Sequence, residues 1–229
     1  MPAAPEGVDP GRRAPLPPLC LVSDAERVGE ERFLDALAGA AAGGLRWVLI
    51  REPRWSAERA RDLAERARDA LRAGSGGEPC FVVIARRPVL AFSLEAEGVH
   101  VPGPELSRII LARAIVGPER LVGYSAHIPR EATEARSLGA DYIFYSPVFR
   151  PLSKTSSLRP VGLDGLEEAC RTSSIPVFAL GGILPEHAAE LRRRGAAGAA
   201  MIGGLLDVPD PREAASLFLE GWGAGARDA

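Results

Sequence analysis

The 229-residue sequence predicts a single (β/α)8 TIM barrel. Three observations lead there. About eight short apolar runs recur along the chain, each followed by a helical pattern or a short substitute for one. The runs are continuously apolar rather than alternating, as strands covered on both faces require. Polar residues and glycines gather where the runs end, which in a parallel barrel is the active face.

Composition sets the bounds. Hydrophobic residues make up 46% and charged residues 25%, a globular mixture with material for a large core. The net charge of −2 argues against a nucleic-acid binder, which carries a basic excess. No apolar run approaches the ~18 residues of a membrane span. The segment MPAAPEGVDPGRRAPLPP holds six prolines and no apolar core, so it does not read as a secretory signal. A cytoplasmic location is therefore expected. Residues 1–18 read as a disordered leader, 19–222 as the barrel and 223–229 as a flexible tail. Cys20, Cys80 and Cys170 are far apart and odd in number, so they read as small core hydrophobes.

The elements follow in order. Leu19 to Val22 is the first strand, and Glu30 to Ala42 a helix stopped by Gly43-Gly44. Trp47 to Ile50 is the second strand, delivering Arg51 and Glu52. Ser56 caps a helix running to Ala73, with Ala60, Leu63, Ala64, Ala67 and Leu71 on one face. Phe81 to Ile84 is the third strand, Pro88 to Leu94 a short helix, and Gly98 to Val101 the fourth strand, carrying His100. The fifth starts at Leu121 and ends in Ser125-Ala126-His127; a helix stopped by Gly139 leads to the sixth, Tyr142 to Tyr145. Leu163 to Thr172 is a helix, Val177 to Leu180 the seventh strand, and Pro185 to Arg194 a helix closed by Gly195. Ala199 to Ile202 is the eighth strand, and a last helix lies within Pro211 to Gly221.

Two constellations carry the chemistry. Gly181-Gly182 and Gly203-Gly204 end strands seven and eight, the usual phosphate corner of this barrel, where glycine lets backbone amides approach an anion. The plainer reading is two tight turns. Arg51, Ser125, His127, Ser153 and Lys154 also lie at or just past strand ends, and Arg, Lys and Ser suit phosphate oxygens. His127 is placed to exchange protons near neutral pH, or to stand as a water-exposed helix-start residue. His187 reads as a surface residue and His100 as a structural hydrogen-bonding one.

The series LVSD, IRE, GVH, GYSAH, GADYIFYSPVF, a Lys before PVGL, and IPVFALGGI, from about Leu19 to Leu206, resembles the thiamine-phosphate synthase/TenI superfamily. The resemblance implies the same barrel and a thiazole phosphate ligand held by Gly181, Gly182, Gly203, Gly204, Ser153 and Lys154. It also implies a homodimer or larger homo-oligomer. Synthases of the family join the thiazole phosphate to a pyrimidine pyrophosphate with magnesium neutralising the pyrophosphate. The chain departs there. The family's QxREK motif reads Leu49-Ile50-Arg51-Glu52-Pro53, keeping only the Arg among its pyrophosphate-facing residues. Its Asn-Asp after strand three reads Ala85-Arg86, and a second metal-binding Asp aligns with Glu105. Losing a carboxylate ligand to an Arg reverses the local charge.

The pattern resembles the TenI branch, in which a His like His127 serves a thiazole tautomerase as acid and base. That reading expects an isomerase with no metal and no cofactor, with Arg51, Ser125 and Arg86 binding substrate. Two other readings stand beside it: a divergent synthase that needs magnesium, and a non-catalytic barrel that binds a phosphate ligand.

Overall fold

The computed structural model describes residues 15–150 and 159–224. Most of the leader, Ser153, Lys154 and the last five residues lie outside them. Eight parallel strands close into a barrel: β1 (Leu19–Val22), β2 (Trp47–Ile50), β3 (Phe81–Ala85), β4 (Gly98–Val101), β5 (Leu121–Ala126), β6 (Tyr142–Tyr145), β7 (Val177–Leu180) and β8 (Gly198–Met201). The seam is a parallel β1–β8 pair in which Leu19 faces Ala199. The helices are α1 (Ala25–Val28), α2 (Glu30–Ala42), α3 (Ala57–Gly74), α4 (Pro88–Ser93), α5 (Arg108–Val116), α6 (Pro129–Ser137), α7 (Gly162–Thr172), α8 (Ala188–Arg193), α9 (Gly203–Leu206) and α10 (Pro211–Ala224). Ser56 caps α3 as expected, accepting from the Arg59 amide at 3.2 Å. Among the described residues no helix is long and apolar enough to cross a membrane.

The period-two rule of strands divides the side chains. Cys20, Val22, Trp47, Leu49, Val83, Ala85, Tyr142, Phe144, Phe178 and Ala200 fill the barrel, while the other strand face and the helices form an outer core. Trp47 meets Tyr142 and Phe178 edge-on, each at 5.0 Å between centroids. Such pairs add about 0.5–1.5 kcal/mol beyond burial. These aromatic rings fill the barrel interior.

Several elements differ from expectation. Helix α5 has Ile110 and Leu111 exposed beside a buried Ile109, which blurs the apolar period that would announce it. Helices α1 and α9 span four residues each, too short for periodicity to register. The Pro185 to Arg194 segment opens as a 3-10 turn before α8. All three cysteines are free, and Cys80 and Cys170 are half-buried at the edge of the outer core.

Candidate active site

At the strand C-termini a cavity of about 250 Å³ opens. Its floor is Val22, Leu49, Ala85, His100, Ser125, Phe144, Leu180 and Ile202, and its rim Arg51, Arg86, Pro102, Gly103, His127 and Ser146. The barrel therefore brings together Arg51, Arg86, Ser125 and His127 from three strand ends, those of β2, β3 and β5.

Arg51 is positioned through its backbone. Its amide donates to Ser23 Oγ at 2.8 Å, and that hydroxyl donates to Glu52 Oε1 at 2.7 Å. The buried Glu52 also accepts from the Ala25 and Glu26 amides at 2.8 and 3.2 Å. A buried carboxylate is tolerable only when so satisfied. Glu52 thus ties the start of α1 to the end of β2 and does not line the cavity.

Arg86 directly follows β3 with φ at 68°, in the left-handed region, and its amide donates to the His100 carbonyl at 2.9 Å. That conformation costs a residue with a Cβ about 1–2 kcal/mol. The next residue, Arg87, turns away and donates to the Trp55 carbonyl.

His100 is buried within the barrel. Nε2 lies 2.8 Å from Ser125 Oγ and Nδ1 3.1 Å from the Tyr142 hydroxyl. Each hydroxyl donates or accepts, so a neutral ring is satisfied on both sides. Burial, aided by the charge of Arg51, pushes the His100 pKa down to about 3. Gly123 makes this possible, because a Cβ there would lie 2.3 Å from the Tyr142 hydroxyl and 2.5 Å from His100 Nδ1.

His127 sits on the rim. Its Nδ1 donates to the Ser146 carbonyl at 2.7 Å, leaving Nε2 of the neutral ring as an acceptor. Its amide donates to Glu131 at 2.7 Å. It is a fixed cavity residue, half-buried rather than fully exposed to water. His187 is likewise half-buried: its Nδ1 accepts from the Leu184 amide at 3.0 Å and its ring lies 4.4 Å from that of Phe149.

The glycine pairs directly follow Leu180 and Ile202, which line the cavity, and are not themselves among its described lining residues. Gly181 and Gly182 have φ at 95° and 67°, and the loop after β6 lies across them, with the Phe149 amide donating to the Gly181 carbonyl at 2.9 Å. A Cβ on Gly182 would fall 2.4 Å from the Arg150 oxygen, and one on Gly204 2.5 Å from the Ile183 oxygen. The two turns therefore touch. Close backbone approach alone accounts for glycine at both. Ser153 and Lys154, expected beside them, lie outside the described residues.

The thiamine monophosphate synthase family model matches residues 19–205. The chain belongs to that family. A Geobacter sulfurreducens protein provisionally named thiamine-phosphate synthase is 38% identical over 201 residues, covering 88% of this chain and 92% of its own. The thiamine-phosphate synthase of Roseiflexus sp. (strain RS-1) is 33% identical over 214 residues, 91% of this chain and 86% of its own. Among solved structures, the thiamine phosphate pyrophosphorylase of Pyrococcus furiosus superposes with a TM-score of 0.77 at 25% identity, over 90% of this chain and 96% of that one.

These names correct the isomerase expectation. The relatives are named for a transferase, and none of the three for a thiazole tautomerase. His127 Nδ1 meets the Ser146 carbonyl, which ties the end of β5 to the loop after β6 and leaves Nε2 to the cavity. Magnesium, which the family resemblance implies, does not fit the described residues. Among them no Asp or Glu lines the cavity, Glu52 accepts from Ser23, Ala25 and Glu26, and Glu105 pairs with Arg108. Among the described residues no cluster of His, Cys, Asp and Glu has the make-up to hold a metal ion.

Sequence reasoning passed over Glu52, Gly123, Tyr142, Gly103 and Ser146. Glu52 carried a signal, since a carboxylate directly after a buried strand demands partners. The other four depend on which strands become neighbours.

Proposed function

We propose that the chain is a transferase of the thiamine-phosphate synthase kind, joining a phosphorylated thiazole to a pyrimidine pyrophosphate at the barrel mouth. The observation that carries this reading is the cavity rim itself: Arg51 and Arg86 line one small cavity that no Asp or Glu lines among the described residues. A polyanionic substrate suits such a rim, and planar guanidinium forks match phosphate oxygens. The names of the relatives support the same chemistry.

The reaction asks little covalent work of the protein. The thiazole nitrogen lone pair forms a C–N bond to the pyrimidine methylene, the methylene C–O bond breaks, and its electron pair leaves on pyrophosphate. No proton must move in that step. Catalysis then consists of orientation and of stabilising the charge on the departing oxygen. Ser125, fixed by His100, and Nε2 of His127 orient the heterocycles by hydrogen bonds. The thiazole phosphate sits on the backbone at Gly181-Gly182 and Gly203-Gly204, just past β7 and β8.

Incubating the purified chain with thiazole phosphate and pyrimidine pyrophosphate, and following thiamine phosphate by mass spectrometry, tests the reading. Product whose formation depends on both substrates is expected. Absence of product under saturating substrates, with and without magnesium, would overturn it.

A further inference from the structure

We infer that Arg86 itself neutralises the diphosphate end of the substrate, so that this chain binds pyrophosphate without a divalent cation. The inference deepens the transferase reading and rests on it for the identity of the anion.

Three observations converge. First, Arg86 holds a left-handed backbone at the cavity rim although it bears a Cβ, and its amide is anchored on the His100 carbonyl. Non-glycine residues kept in sparse backbone regions concentrate at ligand sites. Second, Arg51 and Arg86 have no carboxylate partner among the described residues, whereas Arg108, at the mouth of the adjoining cleft, is paired with Glu105. The two rim cations are thus left for a ligand. Third, a hard divalent cation needs oxygen ligands and a negative surrounding. Here it would meet Arg51 and Arg86 and, among the described residues, no lining carboxylate.

The bond-breaking step balances in electrons without a metal, and the two guanidinium groups offset part of the charge that develops. As the methylene C–O bond breaks, its electron pair localises on the pyrophosphate oxygen, where guanidinium N–H groups donate. Arg86 and Arg51 grip the diphosphate from the ends of β3 and β2. No oxidant, reductant or proton donor enters.

The test is calorimetric titration with inorganic pyrophosphate, in chelator and then in magnesium, on the wild-type chain and Arg86→Asn. Asn tolerates left-handed backbone, so the variant removes the charge with little strain. Thermal melting checks its fold, and Arg86→Gly serves if Asn fails to fold. The wild type is expected to bind pyrophosphate in chelator, with affinity changed less than about threefold by magnesium. Arg86→Asn is expected to lose about tenfold or more, the usual weight of a charge-assisted hydrogen bond. Pyrophosphate binding that requires magnesium, or that survives Arg86→Asn and Arg86→Gly unchanged, would overturn the inference. The transferase reading fails separately. Metal-free binding through Arg86 with no thiamine phosphate formed would sink that reading and leave the anion site standing.

Discussion

Ser125 Oγ and His100 Nε2 stand 2.8 Å apart, joining the cavity floor to the buried Tyr142 hydroxyl behind it. The pair fixes a hydroxyl at the mouth by means of a ring that stays neutral. His100 is held near a pKa of about 3 against an ordinary value of 6.5. Its folded pKa is depressed, so the unfolded chain binds the extra proton between those values. Stability is full above about pH 6.5 and is lost as pH falls toward 3, by about 1.4 kcal/mol per pH unit from this residue. Urea unfolding of wild type and His100→Gln between pH 7 and pH 4 isolates the effect. The wild-type stability should fall more steeply, and parallel curves would rule out the protonation penalty.

Removing the Glu52 carboxylate should damage both fold and site. Glu52→Ala leaves the Ser23 hydroxyl and the Ala25 and Glu26 amides without their acceptor. A loss of about 2–4 kcal/mol is expected, as unpaired buried donors cost 1–3 kcal/mol each and water recovers some. Because Ser23 also holds the Arg51 amide, pyrophosphate affinity should fall as well. Denaturant melts paired with calorimetry check both, and unchanged affinity would uncouple Arg51 from Glu52.

The transferase chemistry assigns His127 to orientation. His127→Asn should lower turnover by less than about tenfold, because no proton moves in the joining step. A loss of about 10²–10⁴ in kcat at unchanged substrate affinity would mark a proton shuttle instead. Steady-state kinetics on the two-substrate assay decides.

Gly182→Ala should be among the most damaging methyl additions. The backbone has φ at 67° and the new Cβ would lie 2.4 Å from the Arg150 oxygen. About 2 kcal/mol or more of destabilisation is expected, from strain plus displacement of the loop after β6. A melting temperature within a degree of wild type would show that this loop gives way freely.

The barrel was legible because its strands are apolar throughout and each is punctuated by Gly, Pro or a cap such as Ser56. Helix α5 escaped because its apolar residues lie on both faces, and α9 because a Gly-Gly pair reads as a turn. The rim residues Arg51, Arg86, Ser125 and His127 were legible from their places after strands. What they do was less so. The SxH motif suggests proton transfer, and the carbonyl partner and fixed tautomer of His127 suit an orienting hydrogen bond as well. The His100–Tyr142 contact and the cleared space at Gly123 arise from strand register, with His100 beside Gly123 and Gly123 beside Tyr142. No local pattern records such neighbours.

The seam between β1 and β8 carries a consequence for how the chain is made. Leu19 finds its partner Ala199 only after nearly the whole barrel has been synthesised. A chain emerging from the ribosome therefore holds β1 with one open edge through most of translation, and such distant pairings form late and slowly. Any truncation before Met201 should leave that edge exposed, and association with other unfinished chains is the expected fate of the product.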